Sequence, residues 1–165
     1  LEFAIALDKP VALRYPRSVV PQSRYPTKPL EIGKAEVLRE GKDFVLIALG
    51  SMVPASFGAI ELLEKGGLKG ALVNARFVKP LDSNLFKAVT AQAKFIFSAE
   101  EGIIEGGFGS AVAEVIDRPV IKIGLPAEFI PHGSRDILLD KYGLTADGIV
   151  DKILRTVKLL NNIAI

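Results

Sequence analysis

The residues whose types and spacing are best suited to binding a ligand form a glycine-rich turn, Gly106-Gly107-Phe108-Gly109-Ser110, at the start of a predicted helix. Free backbone N–H groups at a helix start can bind phosphate. However, Val112 stands where the dinucleotide-binding pattern has its third glycine. Three nearby carboxylates would also repel an anion, namely Glu100, Glu101 and Glu105. We therefore predict a structural role, in which the glycines let the helix approach the sheet or a neighbouring domain closely.

Two further groups of polar side chains could in principle act in catalysis. Glu100 and Glu101 are adjacent, so at a strand end they point to opposite sides and cannot form a cooperating acid–base pair. We expect a solvated or interface role for them. His132 lies close in sequence to Ser134 and Asp136, but this is not triad geometry, and the chain contains no G-x-S-x-G nucleophile elbow. We expect His132 to have a loop or capping role.

Arg14 and Arg17 flank Tyr15-Pro16 near the N-terminus. A guanidinium on a proline-stiffened turn suits bidentate phosphate binding. Surface Arg-Tyr-Pro stretches are common, so the spacing alone leaves the role of both arginines open.

The composition excludes several classes of function. The 165 residues suit one main domain, and 49% hydrophobic with 24% charged residues is typical of a globular protein. A net charge of only +2, without basic runs, does not favour nucleic acid as a partner. With no cysteine and one histidine, the chain cannot form a disulfide, a thiolate nucleophile or a His-cluster metal site. The apolar stretches, such as 44–49, are too short to span a bilayer, and we expect a cytoplasmic protein without membrane contact.

The N-terminal part predicts a tail followed by a linker. Leu1 to Leu7 has helical apolar spacing, and Val11 to Tyr15 predicts a short strand. Four prolines between residues 16 and 29 predict an extended linker, because proline removes a backbone donor and fixes φ. The first residue is not Met, and we interpret the tail as the last elements of a preceding domain.

Downstream, strands and helices alternate. Lys34 to Arg39 and Asp43 to Leu49 predict two strands, and the short turn between them predicts an antiparallel hairpin. Further strands are predicted at 70–76, 95–99 and 120–124, and helices at 52–65, 82–93, 109–116, 134–142 and 145–160. Ser51, Asp82 and Thr145 are the predicted helix N-caps. The pattern predicts a three-layer α/β/α sandwich whose mixed sheet has about five strands, the first antiparallel.

Ligands of such open sheets usually bind beyond the carboxyl ends of the strands, but none of those ends carries a complete motif. Several blocks nevertheless occur together in a fixed order. They are Arg14-Tyr15-Pro16-Arg17, Gly33-Lys34, Arg76-Phe77-Val78-Lys79-Pro80-Leu81-Asp82, Glu100-Glu101 with the glycine-rich turn, Gly124-Leu125-Pro126, Pro131-His132-Gly133-Ser134 and Tyr142-Gly143-Leu144-Thr145. This order resembles the C-terminal part of the 1-deoxy-D-xylulose-5-phosphate synthase family over essentially the whole chain.

The resemblance implies a fold like the transketolase C-terminal domain over residues 33–165. Residues 1–17 would be the end of a pyrimidine-binding domain, and 18–32 a linker. The resemblance also implies an enzyme that uses thiamine diphosphate and Mg²⁺ to join pyruvate, with loss of CO₂, to D-glyceraldehyde 3-phosphate, the entry step of an isoprenoid precursor pathway. In that family the cofactor and metal ligands come from preceding domains, so none is expected in this chain, which would be inactive alone.

Arg17 falls on the family's arginine that contacts the acceptor phosphate, although Ser18 replaces the glycine that often follows it. The resemblance also implies contacts with the preceding domains and a second subunit. Two alternatives remain open. One is another transketolase-like enzyme, either a transketolase or a 2-oxoacid dehydrogenase β-subunit, against which the ending Tyr142 to Thr145 argues. The other is a stand-alone interaction or nucleotide-binding domain.

Overall fold

The computed structural model describes residues 1–19, 24–26 and 28–163, with side chains to residue 159. One sheet and six helices make up this part of the chain. The strands are β1 (Glu36–Arg39), β2 (Phe44–Ala48), β3 (Gly70–Asn74), β4 (Phe95–Ile103) and β5 (Ile121–Leu125). The helices are α1 (Glu2–Ala6), α2 (Met52–Lys65), α3 (Ser83–Thr90), α4 (Phe108–Ile116), α5 (Arg135–Lys141) and α6 (Ala146–Ile163).

The five strands form a mixed sheet in the order β1-β3-β2-β4-β5. β2 pairs in parallel with both β3 and β4, and β4 pairs in parallel with β5. β1 is the antiparallel member. The predicted three-layer α/β/α fold with an antiparallel first strand is therefore confirmed. All five residues of β2 are buried, as expected for a central strand covered by helices on both faces.

Alternate residues of β2 divide the core into two layers. Phe44, Leu46 and Ala48 face α2 and α6, and the ring of Phe44 packs edge-on against Phe97. Val45 and Ile47 face α3 and α4 on the other side. This is the period of two that places successive strand side chains on opposite faces of a sheet.

The predicted hairpin of β1 with β2 is wrong, because β3 lies between them. β1 does run antiparallel, but its hydrogen-bonded neighbour is β3, with a register irregularity between Val37 and Arg39. The four residues 40–43 can bridge two strand spacings, since an extended chain spans roughly 3.3 Å per residue and strands lie about 4.8 Å apart. Asp43 secures the crossing, because its N–H donates to the Lys69 carbonyl and its carboxylate accepts from the Lys69 N–H at 2.7 Å.

Two of the three predicted helix caps are confirmed. The Asp82 carboxylate accepts from the Leu85 N–H at 3.1 Å at the start of α3, and the Thr145 hydroxyl accepts from the Gly148 N–H at 3.2 Å. The helix α2 has the predicted bounds, but Ser51 makes no side-chain capping bond at its N-terminus. Its hydroxyl donates elsewhere, to Glu101.

The N-terminal tail contains the short helix α1, but the strand predicted from Val11 to Tyr15 is wrong, because that stretch forms no ladder in the structure. Phe3 packs edge-on against Phe77, with ring centroids 6.3 Å apart. Part of the predicted linker, residues 20–23 and 27, lies outside the described residues.

Gly41 lets the β1–β2 connection cross the start of β3. A Cβ at residue 41 would lie 2.2 Å from the Gly70 carbonyl carbon, so the backbone itself would have to move. We expect Gly41→Ala to lower the free energy of unfolding by about 1–3 kcal/mol. Gly58→Ala is the control: its Cβ would meet only the Ala146 methyl group, at 3.4 Å, and alanine is the better helix former by about 1 kcal/mol.

Urea unfolding of both variants provides the measurement. Equal stability of Gly41→Ala and the wild type would show that the connection does not pass this closely over β3.

Candidate functional site

The carboxyl ends of β2, β3 and β4 lie at one edge of the sheet. The chain adds β3 on one side of β2 and then β4 on the other side, so the direction of strand order reverses at β2. Such a reversal is the usual ligand-binding position of an open α/β sheet. Here it borders a mainly apolar cleft of about 730 Å³. The N-terminal tail, residues 1–16, forms one wall, and residues 49–51, 76–80 and Glu101 form the other.

Four polar side chains meet at this edge, and we refer to Arg14, Ser51, Glu101 and Arg135 as the strand-end cluster. The Glu101 carboxylate accepts two bonds from Arg135, at 3.1 Å from Nε and 2.7 Å from Nη2, and one from the Ser51 hydroxyl at 2.5 Å. Arg14 Nη2 donates to the Glu101 main-chain oxygen at 2.7 Å. The cluster therefore joins the tail to the ends of β2 and β4 and to α5.

Electrostatics favour the ionised form of Glu101. Its partial burial opposes ionisation, but the hydrogen bonds from Arg135 and Ser51 and the positive charges of Arg135 and Arg14 outweigh burial and hold the pKa of Glu101 below its ordinary value. The pKa of Arg135 is raised chiefly by its hydrogen bond to Glu101. Both groups are thus charged near neutral pH. The bidentate fork of Arg135 fixes the carboxylate in orientation as well as in charge.

A second set of contacts holds the chain before β1 against the same sheet. The Arg76 guanidinium, 8% exposed, pairs with the Glu36 carboxylate and donates to the carbonyls of Lys28 and Pro29, at 3.0 and 3.2 Å. Glu36 in turn accepts from the Lys28 N–H at 3.2 Å. The carbonyls give this buried ion pair two further hydrogen bonds, which offset part of the cost of burying its charges.

The predicted structural role of the glycine-rich turn agrees with its surroundings. The Glu100 carboxylate accepts from the N–H groups of Phe108 and Gly109, at 2.8 and 2.9 Å, and so occupies the N-terminus of α4 where a phosphate would bind. A Cβ on Gly107 would lie 2.1 Å from the Ile103 oxygen, and one on Gly109 would lie 2.3 Å from Ser98 Oγ. The turn therefore brings α4 onto the sheet.

Glu100 and Glu101 do point to different partners, but the expected solvated or interface role is wrong for Glu100, which is 4% exposed and is buried against α4 of the same chain. Two N–H donors and the positive end of the α4 dipole stabilise its charge, which permits burial.

The other predicted residues stay apart from the cluster. His132 is exposed and makes no hydrogen bond to Ser134 or Asp136 within the described part of the chain. Arg17 is exposed three residues beyond Arg14. Among residues 1–19, 24–26 and 28–163, no three His, Cys, Asp or Glu side chains lie close enough to hold a metal ion. None of the helices in this part of the chain is long and apolar enough to cross a bilayer.

Sequence reasoning missed the pairing of Arg135 with Glu101, because 34 residues separate them. It also missed that the Ser51 hydroxyl donates to Glu101. Neither Arg135 nor Ser51 belongs to a recognisable motif. Sequence reasoning also missed Glu36, whose position at the start of a short edge strand normally indicates exposure.

Residues 33–149 match the family described as "Transketolase, C-terminal domain". The match covers more than half of the chain, which therefore belongs to this family.

Curated relatives point to one kind of enzyme within the family. The chain is 42% identical over 160 residues to the 1-deoxy-D-xylulose-5-phosphate synthase of Caldanaerobacter subterraneus subsp. tengcongensis, and 44% identical over 158 residues to that of Desulforudis audaxviator. These alignments cover 92% and 91% of this chain but 25% of each relative. The chain thus spans about a quarter of the length of the curated relatives it matches.

A solved structure named "Split gene transketolase, inactive beta4 tetramer" superposes with a TM-score of 0.79 at 35% identity. The superposition covers 87% of this chain and 48% of that one.

We expect Glu100→Gln to lower the free energy of unfolding by about 1–3 kcal/mol, because an amide offers one acceptor oxygen where the carboxylate offers two, and turns an NH₂ group towards a backbone donor. Glu114→Gln is the matched control, since Glu114 is exposed on the same helix and should change stability by less than about 0.5 kcal/mol. Urea unfolding measures both. A similar small effect of the two substitutions would contradict the capping role of Glu100.

Proposed function

We propose that this chain is the C-terminal part of a thiamine diphosphate-dependent synthase that condenses pyruvate with D-glyceraldehyde 3-phosphate to 1-deoxy-D-xylulose 5-phosphate, with loss of CO₂. The observation that carries the proposal is the name shared by the curated relatives, which are 40–44% identical over about nine-tenths of the chain. Because the chain matches a quarter of their length, the proposed reaction belongs to a longer polypeptide.

We assign residues 1–17 of this chain to the end of a pyrimidine-binding domain, residues 18–32 to a linker, and residues 33–165 to the C-terminal domain. The contacts of the tail support this division, because side chains such as Arg14 and Phe3 join it to the rest of the chain and, among the described residues, it shares no strand ladder with the sheet. The C-terminal domain would bind the preceding domains and contribute to a homodimer in the cytoplasm.

The residues described here do not fit thiamine diphosphate. The α4 N-terminus, which could otherwise bind a diphosphate, already receives the Glu100 carboxylate. Bound to such an enzyme, the cofactor supplies the carbanion chemistry of pyruvate decarboxylation. We propose that the residues that bind the cofactor and Mg²⁺ lie in the preceding domains. This chain would pack against those domains and contribute part of the acceptor site.

Within that acceptor site we propose that Arg17 binds the phosphate of D-glyceraldehyde 3-phosphate. Its side chain is exposed, as a ligand contact requires, and it directly follows Pro16. A guanidinium matches phosphate with two parallel hydrogen bonds, whereas an ammonium offers only a point charge.

In the full-length protein, Arg17→Ala should lower kcat/KM for D-glyceraldehyde 3-phosphate by roughly one to two decades, the equivalent of a charge-assisted hydrogen bond of about 1.5–3 kcal/mol. The KM for pyruvate should change little, because pyruvate lacks the phosphate. Arg17→Lys should recover part of the loss. Arg155→Ala, which removes an exposed arginine on α6, is the control and should leave the kinetics unchanged.

Steady-state kinetics with phosphorylated and unphosphorylated glyceraldehyde test the assignment. Equal losses of kcat/KM for the two acceptors would show that Arg17 does not bind the phosphate.

A further inference from the structure

The strand-end cluster contains Arg14, which lies three residues before the proposed phosphate ligand Arg17. Pro16 stiffens the stretch between them, because its ring fixes φ near −65° and it biases Tyr15 towards an extended conformation. Three residues span at most about 10 Å. Fixing Arg14 therefore restricts where Arg17 can reach.

Glu101 is the residue that fixes Arg14. Its main-chain oxygen accepts from Arg14 Nη2 at 2.7 Å, and its carboxylate attracts the same guanidinium. The carboxylate is itself immobilised by two bonds from Arg135 and one from Ser51. Glu101 belongs to β4 and lies two residues after Ala99, the last residue that β4 pairs with both β2 and β5.

The two arginines of this stretch differ in their surroundings. Arg14 is engaged by the sheet, whereas Arg17 is exposed beside the cleft wall that Tyr15 and Pro16 help to form. One arginine thus holds the segment, and the other is left available for an anion.

We propose that Glu101 is a positioning residue for the acceptor-phosphate site, acting on Arg17 through Arg14. Glu101 does not touch the substrate. This inference rests on the proposed function, since it supposes that Arg17 binds the acceptor phosphate. It assigns the strand-end cluster a part in substrate specificity in addition to the stability that an ion pair supplies.

A double-mutant cycle in the full-length protein separates positioning from mere stabilisation. Glu101→Gln keeps the side-chain size and the main-chain oxygen that Arg14 contacts, but removes the charge that attracts Arg14 and the symmetric acceptor for Arg135. It should raise the KM for D-glyceraldehyde 3-phosphate about tenfold, while the KM for pyruvate stays within about twofold. In an Arg17→Ala background the same substitution should have no further effect on the phosphorylated acceptor, because the residue through which Glu101 acts is gone.

Two further variants complete the test. Ser51→Ala removes one hydrogen bond to Glu101 and should raise the same KM by about two- to threefold, which preserves the test if Glu101→Gln does not fold. Glu114→Gln, on the exposed face of α4, should change neither KM.

If the wild type is active and the effects of Glu101→Gln and Arg17→Ala on the KM for D-glyceraldehyde 3-phosphate simply multiply in the double variant, the positioning role is wrong. The proposed function would remain intact. Equal changes in the KM values of both substrates would have the same meaning. A full-length wild type that does not convert D-glyceraldehyde 3-phosphate and pyruvate would instead overturn the proposed function, and the positioning role with it.

Discussion

The ion pair of Glu101 with Arg135 lies at the sheet edge where the N-terminal tail meets the strand ends, and the bonds of Arg14 and Ser51 converge on the same glutamate. A parallel sheet gathers the carboxyl ends of its strands at one edge, and this is where open α/β folds usually bind ligands. In this chain the edge is bordered by the chain's own N-terminal segment. Arg14 binds the end of β4, Ser51 follows β2, and Arg76, which follows β3, holds the carbonyls of Lys28 and Pro29.

Two adjacent glutamates near the end of β4 have different roles because successive side chains of a strand point to opposite faces of the sheet. The Glu100 side chain turns inward to the N–H groups that begin α4, and the Glu101 side chain turns outward to Arg135, while the Glu101 main-chain oxygen accepts from Arg14. The first contact determines how α4 lies on the sheet. The second determines where the tail crosses the strand ends, and the proposed acceptor site depends on that crossing.

The sequence predicted elements where local chemistry dominates. The bounds of α2 follow from Pro54 in its first turn and from Gly66 after its end, and the Asp82 cap follows from residue type. The β1–β2 hairpin was wrong because a short connection limits distance but does not exclude an intervening strand. Burial of Glu100 was missed because residue type favours exposure, and only the fold brings two N–H donors to it.

Trypsin cleavage tests most directly whether the sheet holds the tail at Arg14. The rate of cleavage after Arg14 can be compared between the wild type and Glu101→Gln, with Glu114→Gln on the exposed face of α4 as the control. If the Glu101 carboxylate helps to hold Arg14, Glu101→Gln should speed this cleavage several-fold, since local opening then costs less free energy, and Glu114→Gln should not. An unchanged rate in Glu101→Gln would contradict the account.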